Sequence, residues 1–138
     1  MHWIESIQHK YPDIFEECYQ FSPPDGWRTL VESLIEYVNW HNTVHKTTIR
    51  LYQVVEAFGG LKFCIQHQPN QPIIAEEVFG AIHLAETLSC KLCIDCGISA
   101  QFRKEHVGDK LILMALCDTH YEIRKENWEN EEECNSEG

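Results

Sequence analysis

Apolar residues recur along this chain in two periods, and the changes of period divide it into elements. Trp3 and Ile4 stand four and three residues before Ile7, and Tyr11 four after it, roughly the spacing of one helix face, and Pro12 predicts an end to that helix at or before Tyr11. Ser22-Pro23-Pro24-Asp25-Gly26 is a turn by composition, with Asp25 placed to cap the helix after it. Trp27, Leu30, Val31, Leu34, Ile35 and Val38 then give the clearest amphipathic helix, with Arg28, Glu32 and Glu36 on its polar face. From Ile49 the period falls to two. Ile49, Leu51 and Gln53 alternate with Arg50, Tyr52 and Val54, and Leu61, Phe63 and Ile65 alternate with Lys62, Cys64 and Gln66. These runs predict a hairpin about Gly59-Gly60, glycines that supply the positive φ angles of a tight turn. A helix is expected from about Pro72 to about Ser89, burying Ile74, Val78, Ile82 or Ala81, Ala85 and Leu88.

Residues 90–120 follow a different rule. Cys93-Ile94-Asp95-Cys96-Gly97 and Leu116-Cys117-Asp118-Thr119-His120 contain a C-x2-C and a C-x2-H pair separated by twenty residues. Three thiolates and an imidazole are the donors of a tetrahedral Zn²⁺ site, and four protein ligands with no position for water make the structural kind. Ala100 to Lys104 and Lys110 to Leu116 read as a small hairpin turning near Gly108-Asp109, and Asp118 as the cap of a last helix to about Asn127. Knuckle, hairpin and helix in that order resemble a treble-clef zinc finger over residues 93 to about 127. Gly97 lets the backbone turn its amides toward the sulfurs, and the helix N-terminus offers them positive potential. The register stays open, because Cys90-x2-Cys93 has the same spacing. Cys90 could replace Cys96 or His120, although only Cys96 is followed by glycine.

The expected fold class is therefore α+β: an αββα core over residues 1–89, a treble-clef-like zinc finger with a terminal helix over 90–128, and one domain over 1–128. Residues 129–138 are acidic and poor in apolar groups, which predicts a disordered tail. A chain of 138 residues can bury a modest core, so a metal staple would matter to its stability. With 22 Asp and Glu against 11 Lys and Arg the formal charge is −11. Residues 1–69 hold 8 acids and 5 bases, and residues 70–138 hold 14 and 6. Such a field repels a phosphate backbone and attracts a protein partner with a basic surface. Seven cysteines is an odd number. The N-terminus Met1-His2-Trp3-Ile4-Glu5 lacks the features of a signal peptide, and no apolar run is long enough for a membrane span. A cytoplasmic location is expected, in which clustered cysteines point to metal rather than disulfides.

Other candidate groups carry less. Cys64 and His67 copy the ligand spacing, but strand positions three apart face opposite sides, so Cys64 is expected packed and His67 in a loop. His41 and His45 stand four apart at a helix end with no third ligand in sequence, which predicts a solvated pair. Cys18 and Cys134 read as bystanders, and His106 as a polar turn residue. A nuclease of the His-Asn-His class would need donors for a cleavage metal beyond the four zinc ligands, and none stands around His106. No G-x-S-x-G, P-loop, G-x-G-x-x-G or H-E-x-x-H motif occurs, so the expectation is a protein that is not an enzyme.

Asp25-Gly26-Trp27, the stretch Gln53-Val54-Val55-Glu56-Ala57-Phe58-Gly59-Gly60-Leu61-Lys62-Phe63-Cys64, Cys93-x2-Cys96-Gly97 and Leu116-Cys117-x2-His120 together resemble a group of small uncharacterised phage and prophage proteins. The resemblance spans roughly residues 25–120 and implies a phage or prophage origin without implying an activity. It departs from that pattern at Val55 and Ala57, where the group has lysines, and at Cys64, where it has an aromatic residue. The functional expectation is a zinc-stabilised interaction protein of phage type, inhibiting a nucleic-acid-handling host defence complex in the manner of an anti-CRISPR protein. Phe58, Trp128 and the acids Glu122, Glu126 and Glu129 are its candidate contacts. The alternative is a zinc-finger nucleic-acid-binding or regulatory protein, using Lys91, Arg103, Lys104 and Lys110.

Overall fold

Helical spacing at the N-terminus becomes helix α1, Trp3–Lys10, which buries Trp3 and Ile7 and ends one residue before Tyr11, where Pro12 opens a separate short helix α2, Pro12–Phe15. A computed structural model describes residues 2–66 and 76–136, with side chains to residue 131. The chain is α+β. After a two-residue strand β1, Gln20–Phe21, a 3₁₀ turn at Asp25–Trp27 leads into α3, Arg28–His45. Strands β2, Arg50–Ala57, and β3, Gly60–Gln66, form the antiparallel hairpin, and helix α4, Glu76–Ser89, packs against β3 and α3. Strands β4, Gln101–Val107, and β5, Lys110–Leu116, make a second hairpin before α5, Asp118–Ser136. The expected helix start at Pro72, the place of Ile74, the loop position of His67 and the Cys134 side chain lie outside the described residues.

Strand order in the larger sheet is β1-β2-β3, with β1 parallel to β2 through Gln20↔Gln53 and Phe21↔Val54. Simple alternation fails in β2, because its register shifts between Leu51 and Gln53. That bulge takes in the exposed Tyr52 as an extra residue and leaves Leu51 and Val54, three apart, both fully buried. The free edge of β3 is closed by side chains of α4. Ser89 Oγ accepts the Leu61 N–H at 2.8 Å, and Glu86 Oε2 accepts the Phe63 N–H at 3.1 Å. The buried stripe of α4 is therefore Val78, Ile82, Ala85 and Ser89, and Leu88, expected inside, faces out.

Two turns differ from expectation for reasons of backbone geometry. Positive φ falls on Phe58 (53°) and Gly59 (87°), while Gly60 already belongs to β3 and pairs with Ala57. The loop is thus two residues long, with both in the left-handed region that a tight hairpin demands. Glu56 Oε1 accepts the Gly59 N–H at 2.7 Å, and the Phe58 ring is 89% exposed. Asp25 does not cap α3. Its carboxylate accepts the Trp3 indole N–H at 2.9 Å and so ties α1 to the 3₁₀ turn.

The core is one cluster that runs from Trp3 through Trp27, Val31, Ile35, Leu51, Val54 and Val78 to Cys93, Ile94, Leu116 and Cys117. The cysteine-bearing segment is thereby part of the same apolar interior as the helices. The last helix corrects another expectation: it runs to Ser136 instead of ending near Asn127, so most of the stretch expected as a disordered tail is helical. On its inner side the half-buried Tyr121 and Trp128 pack against the core, their rings meeting edge-on with centroids 6.4 Å apart.

Candidate metal centre

The knuckle is built by its own backbone. Leu92 bridges Ser99, Ala100 N–H donates to Lys91 O at 2.8 Å, Cys93 N–H donates to Ile98 O at 2.8 Å, and Gly97 N–H donates to Cys93 O at 2.8 Å. Gly97 takes a φ of 83°, and a Cβ there would stand 2.6 Å from Gly26 O, so glycine is required on both counts. The second pair comes from the start of α5. Asp118, expected as the cap, is already the first helical residue, and the cap's work falls to Cys117. Its sulfur accepts the His120 N–H at 3.4 Å, and its carbonyl accepts the Tyr121 N–H at 2.8 Å.

These two turns bring Cys93 Sγ, Cys96 Sγ, Cys117 Sγ and His120 Nδ1 within 4.8 Å of one another. Cys96 and Cys117 sulfurs are 3.8 Å apart, Cys93 Sγ is 3.7 Å from His120 Nδ1, and Cys117 Sγ is 3.1 Å from it. A tetrahedron with metal–sulfur bonds of about 2.3 Å has edges of about 3.8 Å, so two of the three separations match it and the third needs a small opening. None of these cysteines is in a disulfide. Burial opposes ionisation of Cys93, but backbone N–H groups of Cys117, Cys96 and Asp95 outweigh it and bring the thiol down to about 7. At Cys96 the Ile98 N–H favours the thiolate, yet burial and the sulfurs of Cys93 and Cys117 push the thiol up. Three sulfurs this close ionise together only around a cation, and this donor set suits one.

Groups that the sequence did not assign to the centre hold the two ligand pairs together. Asp95, inside the knuckle, receives Arg124 Nε at 2.8 Å and Nη2 at 2.6 Å, a bidentate pair between the knuckle and α5. Those hydrogen bonds hold the Asp95 carboxyl below the usual carboxylate range against the effect of its burial. Arg103 donates twice to Leu116 O and once to Asp118 Oδ1, and its guanidinium lies 4.3 Å from the Tyr121 ring centroid. From the N-terminal half, Gly26 N–H donates to Ile94 O at 2.9 Å, and the Trp27 indole donates to Leu92 O at 3.2 Å. A Cβ at Gly26 would come within 2.0 Å of Cys93 O, so the 3₁₀ turn lies backbone against backbone on the knuckle. A carboxylate within the knuckle and an arginine one turn beyond His120 were the visible signals for the clamp; Gly26-Trp27 was visible as a motif but not as a docking point.

Cys90 is settled by its surroundings: its sulfur lies 3.8 Å from Glu86 O and faces Gly60, outside the group of four. Cys18, with its sulfur 3.6 Å from Gln20 O, and Cys64 are half-buried and apart from it. His106 is a strand residue of β4 opposite Leu111, since β4 extends three residues beyond the expected Lys104. His41 and His45 contradict their expectation. His41 is buried, and α4 brings Glu77 to both rings, a long-range approach that residue spacing cannot display.

The fold and centre define an α+β protein with a three-cysteine, one-histidine group that can hold a metal ion, in the element order of a treble clef. No family model, curated protein or solved structure matches the chain, so membership of a phage or prophage family is not shown. Among the described residues no helix is long and apolar enough to cross a membrane.

Proposed function

We propose that the centre holds structural Zn²⁺ and that the chain is a zinc-stapled interaction module for a protein partner with a basic surface. The observation that carries this reading is the closed donor set, locked by the Asp95–Arg124 pair across the knuckle and α5. Thiolate and imidazole donors favour zinc over the hard cations, and four protein ligands leave no position for substrate. The contact surface is the outer face of α5, where Glu122, Glu126 and Glu129 are exposed around Ile123. Phe58 supports the same reading: a large aromatic side chain held exposed on a left-handed residue is strained, which suits a contact residue better than a stabilising one. Trp128 is half spent on packing against Tyr121 and contributes its outer edge.

The target class we propose is a nucleic-acid-handling defence complex, whose basic channel an acidic helix would enter in place of nucleic acid. The alternative of direct nucleic-acid binding is weakened by Arg103, one of its four cations, which is committed to Leu116 O, Asp118 and the Tyr121 ring. The test is competition. The zinc-loaded chain is titrated into purified defence complexes carrying labelled DNA, beside the charge-reversed variant E122K/E126K/E129K. Displacement by the parent and its loss in the variant are expected. A parent chain that displaces nothing, yet itself shifts the DNA probe at physiological salt, overturns the reading.

A further inference from the structure

A second group of donors lies apart from the cysteines, where α3 ends beside the first turn of α4. His41 Nε2 stands 3.2 Å from Glu77 Oε1, His45 Nε2 stands 3.8 Å from the same oxygen, and all three ligand atoms lie within 4.8 Å of one another. The two imidazoles are four apart on one helix, so their rings share a face, with centroids 4.5 Å apart. What distinguishes this group from a surface ion pair is how the His41 proton is placed.

Asn42 fixes the first step. Its Oδ1 accepts the Ile49 N–H at 2.9 Å and its Nδ2 donates to Ile49 O at 3.0 Å, so the backbone decides which end of the amide is oxygen. The Thr47 hydroxyl donates to that same Oδ1 at 2.8 Å. Toward His41 Nδ1, 3.1 Å away, Thr47 therefore offers only a lone pair, and Nδ1 must carry the ring proton. A neutral His41 ring then presents its Nε2 lone pair to a carboxylate oxygen, from a side chain only 3% exposed. Two lone pairs facing each other repel unless a cation lies between them. A histidine oriented at one nitrogen by a hydrogen bond, with the other nitrogen aimed at a carboxylate and a second imidazole, is how a protein arranges a metal ligand.

We infer that His41, His45 and Glu77 form a second metal site, for a divalent transition ion of the zinc class, with Thr47 as the residue that orients His41. The separations of 3.2 and 3.8 Å bracket the edge of about 3.4 Å expected for a tetrahedron with bonds of about 2.1 Å. Two imidazoles and a carboxylate match Zn²⁺, Co²⁺, Ni²⁺ or Fe²⁺ and not the hard cations that need oxygen cages. Unlike the closed cysteine centre, this site has three protein ligands. Those three are the donors among the described residues, and with His45 and Glu77 48% and 54% exposed, a fourth position is open to water or to a further donor. The site stands whether or not the partner reading above holds.

The experiment uses the full chain carrying zinc in its cysteine centre, titrated with Co²⁺ near neutral pH and followed by visible absorption and equilibrium dialysis. One further Co²⁺ per chain is expected, with d–d bands but no thiolate charge-transfer band, and Zn²⁺ should displace it. H45A and E77Q each remove one ligand from an exposed side chain and should weaken the second site at least tenfold without releasing zinc from the cysteines. Thr47→Val should weaken it by about 10–100-fold through loss of orientation alone. If the zinc-loaded chain takes up no further ion, the cation at His41 is a proton shared with Glu77 and the inference is overturned. It is equally overturned if H45A and E77Q bind Co²⁺ as the parent does.

Discussion

Alanine at Gly26 tests how the N-terminal helices are joined to the metal centre. The added Cβ would lie 2.0 Å from Cys93 O and 2.5–2.6 Å from the Ile94 carbonyl group, whereas ordinary contact begins at 3.4 Å. The opposing atoms are backbone, and the knuckle they belong to is fixed by its own hydrogen bonds, so no side-chain rotation relieves the clash. The turn and the knuckle must part by more than an ångström. Parting them loses the Gly26–Ile94 and Trp27–Leu92 hydrogen bonds, about 1 kcal/mol each. It also disturbs the packing of Trp27, which is fully buried, at about 1–3 kcal/mol. The sum of about 3–5 kcal/mol is a large part of the roughly 5–15 kcal/mol that stabilises an ordinary domain. Urea unfolding followed by tryptophan fluorescence at fixed free zinc would show it as a fall in midpoint of about 2 M, for a slope near 2 kcal/mol per molar urea. Gly80 is the control, since a Cβ there meets nothing within 4 Å on helix α4. Gly80→Ala should raise stability by up to about 1 kcal/mol. A Gly26→Ala protein within about 0.5 kcal/mol of the parent would refute the docking argument.

Three further outcomes are expected. Cys117→Ser, or a strong chelator, should release the metal and expose β4, β5 and the start of α5 to rapid amide exchange, because metal binding at such a site is part of the folding free energy; unchanged protection there would contradict this. Ser89→Ala leaves the buried Leu61 N–H without its acceptor and should cost about 1–3 kcal/mol in thermal or urea unfolding, while Thr87→Ala on the exposed face should cost little. Phe58→Gly removes a side chain from a left-handed position and should stabilise the hairpin by about 1 kcal/mol while weakening binding to the partner; loss of stability would show that the ring has a structural role.

What the sequence determined by itself is what short spacing can encode. Val31, Leu34, Ile35 and Val38 named the buried face of α3 because helix period and burial are local consequences of one another. Cys93, Cys96, Cys117 and His120 could be read as one site because each pair lies within a single turn, whose geometry its own residues set. The choice between Cys96 and Cys90 was open in the sequence and was decided by α4, whose end directs Cys90 toward Glu86 and Gly60. Other features belong to tertiary structure alone. The bulge in β2 sets which of Leu51, Tyr52 and Val54 face inward, and pairing with β1 and β3 fixes it. Gly26 is required by the close approach of a knuckle 67 residues further on, and His41 gains Glu77 only when α4 packs beside α3. Ligands four apart on a helix are written in the chain; a carboxylate 36 positions beyond His41 reaches them only because burial of Val78 and Ile82 fixes the position of α4. Local pattern therefore specifies the turns that carry the donors, while the packing of distant elements determines which donors share a site.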